Sequence, residues 1–203
     1  MLLIGPSGSG KSRLVERMIR EHRLIFSNPL TRVYVFYMHD QPIYDQIREG
    51  ELEVEMHHGL PPSDFEPVAN SLIVFDDLQY EKDKENVLAS WFHRRSHHSS
   101  TSICMCQQNH MAKVGGGREI SLNATHFILF QNKQDISQIA RLNYRWTGGG
   151  PARGFLQSVF KRVCRDKPFS FLIADLDTTT PDLFRFRDSL VPEEGGAVYV
   201  PPT

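Results

Sequence analysis

The chain has 203 residues, 40% of them hydrophobic and 23% charged, and a formal net charge of −1. At this length about 70% of the unfolded surface can be buried, so no disulfide or metal staple is needed to hold the fold. No apolar run approaches the ~18 to 20 residues that span a bilayer, no secretory leader is read ahead of the first motif, and near-neutral charge differs from the basic composition usual in dedicated DNA-binding domains.

In chain order, Met1–Ile4 is a short apolar strand running into a glycine-rich turn. Lys11–Arg23 follows as a helix with Leu14, Val15, Met18 and Ile19 on one face. Arg32–Met38 is β-branched and aromatic, the pattern of a buried strand. Asp40 is placed to cap a next helix, with Pro42 in its first turn and Gly50 just past its end. Leu52–Met56 is a further strand, and Leu72–Phe75 is a wholly apolar one ending in Asp76-Asp77. Val87, Leu88, Trp91 and Phe92 mark a helix; Ser102–Cys106 is a strand ended by Gln107, Gln108 and Asn109. Lys113–Arg118 reads as a flexible basic loop before a strand at His126–Phe130.

Two more amphipathic helices are expected around Ile136, Ile139 and Ala140 and around Phe155, Leu156, Val159, Phe160 and Val163. Late strands are predicted at Phe169–Ala174, Leu183–Phe186 and Ala197–Val200. There are no internal repeats and no low-complexity linker, so residues 1–203 read as one domain. Alternating buried strands and amphipathic helices predict an α/β fold, a mostly parallel sheet flanked by helices on both faces. Ligands of such sheets sit beyond the C-terminal strand ends, where Asp76, Asp77 and Gln108 would converge. Cys104 and Cys106 alternate along a buried strand, which suits a reducing compartment.

Gly5-Pro6-Ser7-Gly8-Ser9-Gly10-Lys11-Ser12 matches the P-loop pattern G-x-x-x-x-G-K-[ST] without departure. Its glycines let backbone N–H groups turn inward around phosphates, at the positive end of the helix that begins at Lys11. Lys11 is expected to reach the β- and γ-phosphates of ATP, and the Ser12 hydroxyl to ligate Mg²⁺. Gly5 to Ser12, with Arg13 behind them, form the expected nucleotide site. Asp76-Asp77 at the end of an apolar strand is the Walker B arrangement over residues 72–77. Asp76 is assigned to the Mg²⁺ shell and Asp77 to polarising a water for in-line attack. Two acids at a strand end also suit a solvated cap or turn.

Gln108 closes the expected sensor strand (102–108); if that strand lies between the other two, its amide sits over the γ-phosphate, and otherwise it is a polar strand end. Arg94 and Arg95, just ahead of that strand, suit an arginine finger facing a neighbouring subunit's ATP, or a solvated helix end. The Lys113–Arg118 segment could touch a DNA backbone, sense nucleotide through Arg118, or only connect. Between Arg141 and Lys167 there are seven Lys/Arg and one acid, Asp166, which suits phosphate attraction or a solvated basic face.

Together, GPSGSGKS, LIVFDDL, RRSHH followed by an apolar strand and QQN, and GGGREISLNATHFILFQN resemble viral genome-packaging ATPases of the FtsK–HerA class, of poxvirus, Polinton and adintovirus type. The C-terminal FLIADLDTTTPDLFRFRDSLVPEEGGAVYVP is similar to the end of those proteins. The resemblance implies a RecA-like ASCE P-loop NTPase that assembles as a homo-oligomeric ring, a hexamer or pentamer, and pumps double-stranded DNA into a preformed capsid. Capsid or portal-vertex proteins would be its partners, without a membrane, in the nucleus or cytoplasm of an infected cell or with the virion. It makes Lys11, Ser12, Asp76 and Asp77 the ATP–Mg²⁺ site, Gln108 the sensor, and Arg95, or Arg94 beside it, the trans-acting arginine. The chain departs from that pattern with Asp76-Asp77 where Asp-Glu is common, and in beginning four residues before the loop. A nucleotide-kinase-like phosphotransferase and a non-hydrolysing nucleotide-binding scaffold are the rival readings.

Overall fold

The computed structural model describes residues 1–78, 85–94, 101–107, 117–133, 137–165, 168–191 and 194–202. By internal contacts the chain divides into two compact units, one of Met1–Ile4 and Gly10–Ala124, the other of Gly5–Ser9 and Thr125–Thr203.

The first unit is built on five strands: β1 (Leu2–Ile4), β2 (Arg32–Tyr37), β3 (Glu53–His58), β4 (Ser71–Asp76) and β5 (Ser102–Gln107). They lie in the order β3-β2-β4-β5-β1, and each neighbouring pair is parallel. β1, β4 and the interior of β5 are buried along their length, which is why they read as continuous apolar runs and not as alternating ones. The connections hold α1 (Lys11–Arg20), α2 (His22–Ile25), α3 (Ile43–Arg48), α4 (Glu85–Arg94) and, after β5, α5 (Gly117–Asn123). From β1 to β2 to β3 the chain steps one way across the sheet, and from β4 to β5 it steps back. Right-handed crossovers therefore put α1 and α3 on one face and α4 on the other. In agreement, α1 packs on α3 and α4 on α5.

Register brings the C-terminal strand ends together: Tyr37 is level with Asp76, Asp76 with Cys106, and Gln107 with Ile4. β5 thus stands between β1, which feeds the glycine loop, and β4, which ends in Asp76.

The second unit holds four antiparallel strands, β6 (His126–Phe130), β7 (Phe171–Asp175), β8 (Phe186–Arg187) and β9 (Val198–Tyr199), with α6 (Ser137–Thr147) and α7 (Phe155–Val163). Asn143 of α6 clamps the start of α7: its Nδ2 donates to the Ala152 carbonyl at 3.1 Å, and its Oδ1 accepts from the Leu156 N–H at 2.8 Å.

Several expectations change. The first helix stops at Arg20, and His22–Ile25 forms a separate turn. Asp40 does not cap α3; Pro42 takes the N-cap position with no side-chain cap. The strand expected at Leu183–Phe186 begins only at Phe186, in β8: Asp182–Phe184 is a 3₁₀ turn that leaves Leu183 and Phe184 exposed, because Pro181 and Asp182 favour turning over pairing. Arg118 belongs to helix α5 and not to a loop.

Candidate functional site

The loop between β1 and α1 needs glycine for two separate reasons. A Cβ at Gly5 would stand 2.6 Å from Phe130 Cβ and 2.8 Å from Ser9 Oγ, closer than real contacts allow. Gly10 takes a left-handed φ of 103° as the N-cap of α1. That cap donates no side chain to the helix, and the first turn of α1 holds no acidic residue. The N-terminal end of this ten-residue helix therefore carries no capping side chain and no acid in its first turn. A phosphate is the chemistry that fits such an end.

Lys11 and Ser12 open α1, and Lys11 is only 6% exposed. The Ser12 hydroxyl donates to Asp76 Oδ2 at 3.0 Å, 64 residues away in sequence. Two further donors converge on the same oxygen: the Tyr44 hydroxyl at 2.9 Å and Gln41 Nε2 at 3.3 Å. Gln41 Nε2 also lies 3.3 Å from the Tyr44 oxygen, to which it donates. By contrast Asp76 Oδ1 is buried and has no hydrogen-bond partner among the described residues. Burial raises the Asp76 carboxyl above its ordinary range, and the hydrogen bonds from Tyr44 and Ser12 and the charge of Lys11 oppose that rise. The same burial, with Asp76 beside it, pushes the Tyr44 phenol upward, so it stays a hydrogen-bond donor.

These residues fit Mg²⁺. A buried carboxylate oxygen without a partner beside a serine hydroxyl is an all-oxygen donor set, which a hard cation prefers over nitrogen or sulfur ligands. The neighbouring strand turns a thiol toward the same region: Cys106 is raised by its hydrogen bond with Cys104, by burial and by Asp76, and is therefore a neutral neighbour. Asp77 leaves β4 in a left-handed conformation, φ 54°, and its Oδ1 is likewise buried without a partner among the described residues. A second unsatisfied carboxylate oxygen on the next residue suits hydrogen bonding to a water or a phosphate-bound group.

The structure thus brings together Lys11, Ser12, Asp76 and Asp77. Gly5, Pro6, Ser7, Gly8 and Ser9 form the loop ahead of them, with Ser7 and Gly8 exposed, and Arg13 is exposed on α1. Gln108 and Arg95 lie outside the described residues, as do Lys113 to Gly116; Arg94 ends α4, and Arg118 is exposed on α5. Gln41 and Tyr44 are absent from the expectations drawn from sequence. The available signal was position, since both follow closely on β2, whose C-terminal end is level with Asp76.

No family model and no curated protein matches the chain. Solved structures do. The genome packaging NTPase B204 from Sulfolobus turreted icosahedral virus 2, in complex with sulfate, superposes with a TM-score of 0.51 at 13% identity, over 100% of this chain and 96% of that one. EssC (ATPases 2 and 3) from Geobacillus thermodenitrificans gives 0.52 at 12% identity, over 86% of this chain and 37% of that one. At such identities the shared property is the fold: the chain has the P-loop NTPase fold expected from its motifs.

Proposed function

We propose that the chain is a Mg²⁺-dependent ATPase that works as an oligomeric ring and drives double-stranded DNA into a viral capsid. One observation carries the ATPase reading: Ser12 and Asp76 meet at 3.0 Å while a second Asp76 oxygen stays buried and unpartnered. The motor reading draws on the RRSHH and GGGREISLNATHF blocks and on the strand order. With β5 inserted between β4 and β1, the arrangement suits a motor ATPase and counts against the nucleotide-kinase alternative.

In this reading Lys11 pairs with the β- and γ-phosphates while the amides of the Gly5–Ser12 loop orient them. Mg²⁺, held by Ser12 and Asp76, would neutralise charge building on the phosphate oxygens. Asp77 takes the proton of the attacking water as its oxygen bonds to the γ-phosphorus and the bond to the β–γ bridging oxygen breaks, leaving ADP and phosphate. Gln108 orients that water, and Arg95, or Arg94, approaches from the next subunit. Such a motor would act in an infected cell or on the virion; among the described residues no helix is long and apolar enough to cross a membrane.

The test is ATP turnover by the full chain with and without Mg²⁺ and long duplex DNA, run beside a native mass measurement. Mg²⁺-dependent turnover accelerated by duplex, at the mass of a ring, is the expected result. Turnover that needs a small acceptor at monomer mass would replace the motor with a phosphotransferase. Nucleotide binding without turnover would replace it with the scaffold.

A further inference from the structure

Residues 137–165 contain six Lys/Arg and no Asp or Glu, in a chain that carries 24 acids overall. The structure divides that charge unevenly. On α6, Ile139, Leu142, Asn143 and Trp146 are buried, and the opposite stripe of Arg141, Tyr144 and Arg145 is exposed. Tyr144 is 74% exposed, the most of any large hydrophobic residue described. It lies against the loop that follows, its ring carbon 3.5 Å from where a Gly149 Cβ would stand. Gly148, Gly149 and Gly150 all take left-handed φ values, 74°, 78° and 60°, and a Cβ at Gly148 or Gly150 would meet nothing within 4 Å. The loop is nevertheless held: the Gly148 N–H donates to the Tyr144 carbonyl at 3.0 Å, and Arg185 Nη2 donates to the Trp146 carbonyl at 3.0 Å. Arg153 stands exposed at its far end.

We infer that Arg141, Tyr144, Arg145 and the Gly148–Arg153 loop form the surface that grips the phosphate backbone of duplex DNA. This rests on the motor reading and names where its polymer would lie. Arg141 and Arg145 are both exposed and sit one turn apart, about 6 Å along the helix axis. A tyrosine hydroxyl and backbone amides are the other usual donors to phosphate oxygens. The three glycines keep side chains out of the approach, so a bulky polyanion can come close to main chain. Guanidinium, hydroxyl and main-chain N–H groups can all bond phosphate oxygens whatever the sequence, and a motor that must travel over any sequence needs a grip of this kind. An acidic protein would also answer the charge, but it gives no reason for an open glycine loop beside an exposed aromatic hydroxyl.

The experiment measures duplex affinity of the full chain against salt concentration, using two unrelated sequences. Arg141→Gln and Arg145→Gln should each lower the slope of log affinity on log salt by about one and weaken both duplexes alike, with ATP turnover in the absence of DNA unchanged. Arg23→Gln, exposed on α2, should leave the slope as it is. Wild-type binding with slopes unaltered in both α6 variants would overturn this surface and leave the motor reading standing. No duplex binding by the wild type at low salt would overturn both. Loss of single-stranded binding alone, or competition by poly-glutamate as strong as by DNA, would assign the stripe to another ligand and overturn the proposal.

Discussion

The Tyr44 hydroxyl donates a 2.9 Å hydrogen bond to Asp76 Oδ2, and so joins the helix after β2 to the acid that ends β4. With Ser12 and Gln41 it occupies that one oxygen and leaves Oδ1 turned elsewhere, without a partner among the described residues. A carboxylate held by one oxygen presents the other in a fixed direction. Partners of this kind around a metal ligand are worth about 10- to 100-fold in metal affinity. Tyr44→Phe keeps the ring and deletes the donor. It should raise the Mg²⁺ concentration needed for tight binding of a fluorescent ATP analogue about 10-fold, while metal-free nucleotide binding changes little. An unaltered Mg²⁺ requirement would show that Tyr44 only fills space.

The two motif acids and the lysine should separate by role. Lys11→Ala is expected to abolish ATP binding, because it removes the charge at the head of α1. Asp77→Asn should keep binding and lower turnover by about 10² or more, the usual scale for losing a proton acceptor. Calorimetry for binding and phosphate release for turnover distinguish them. Equal loss of nucleotide affinity in both variants would refute the assignment.

Much of this site was legible because phosphate and cation chemistry restrict which residues can serve. A turn able to wrap phosphates would call for Gly5, Gly8 and Gly10, and acids at the end of an apolar strand mark candidate cation ligands. Strands β1, β2, β4 and β5 stood out for a related reason, since burial on both faces leaves unbroken apolar runs. Gln41 and Tyr44 were not legible, because their contact with Asp76 depends on β2 lying next to β4 and on no spacing along the chain. Helix α5 was hidden by the glycines that lead into it, which argue for a loop until Ile120 and Ser121 are seen buried. Leu183–Phe186 misled in the opposite sense: apolar side chains look like a strand, but two of them face solvent.

Gly5→Ala should destabilise the fold, although the change is one methyl group. The added carbon would stand 2.6 Å from Phe130 Cβ, an atom that no rotamer change can move. Overpacking of this kind costs about 1–3 kcal/mol. A fall in the thermal midpoint, measured without nucleotide, checks it; an unchanged midpoint would mean the loop has room to yield.

Asp175 gives the second unit a pH signature. Burial alone would raise its carboxyl, yet His126, 3.4 Å away, the Asp177 N–H and Arg187 Nη1 at 3.1 Å together hold it well below the ordinary carboxylate range. A depressed folded value contributes stability that is fully present above the unfolded pKa of about 3.9 and is lost as pH falls through the folded value. Asp175→Asn should therefore cost on the order of 2 kcal/mol at neutral pH, and the gap from the wild type should begin to narrow below about pH 4 and close only as the pH falls through the folded value. Denaturant unfolding in a series from about pH 7 down to about pH 2 makes the comparison. A gap that stays constant with pH would sink the electrostatic account.

Because α1 begins at a left-handed glycine with no capping side chain, a solute that carries negative charge to its first turn would complete it. The motif helix should then tighten with the concentration of inorganic phosphate, ADP or ATP, each adding to its melting resistance by mass action in proportion to its own affinity. Hydrolysis would change that contribution within every cycle, so the chemistry of the substrate would be felt as a periodic stiffening and loosening of the helix whose first turn holds Lys11 and Ser12.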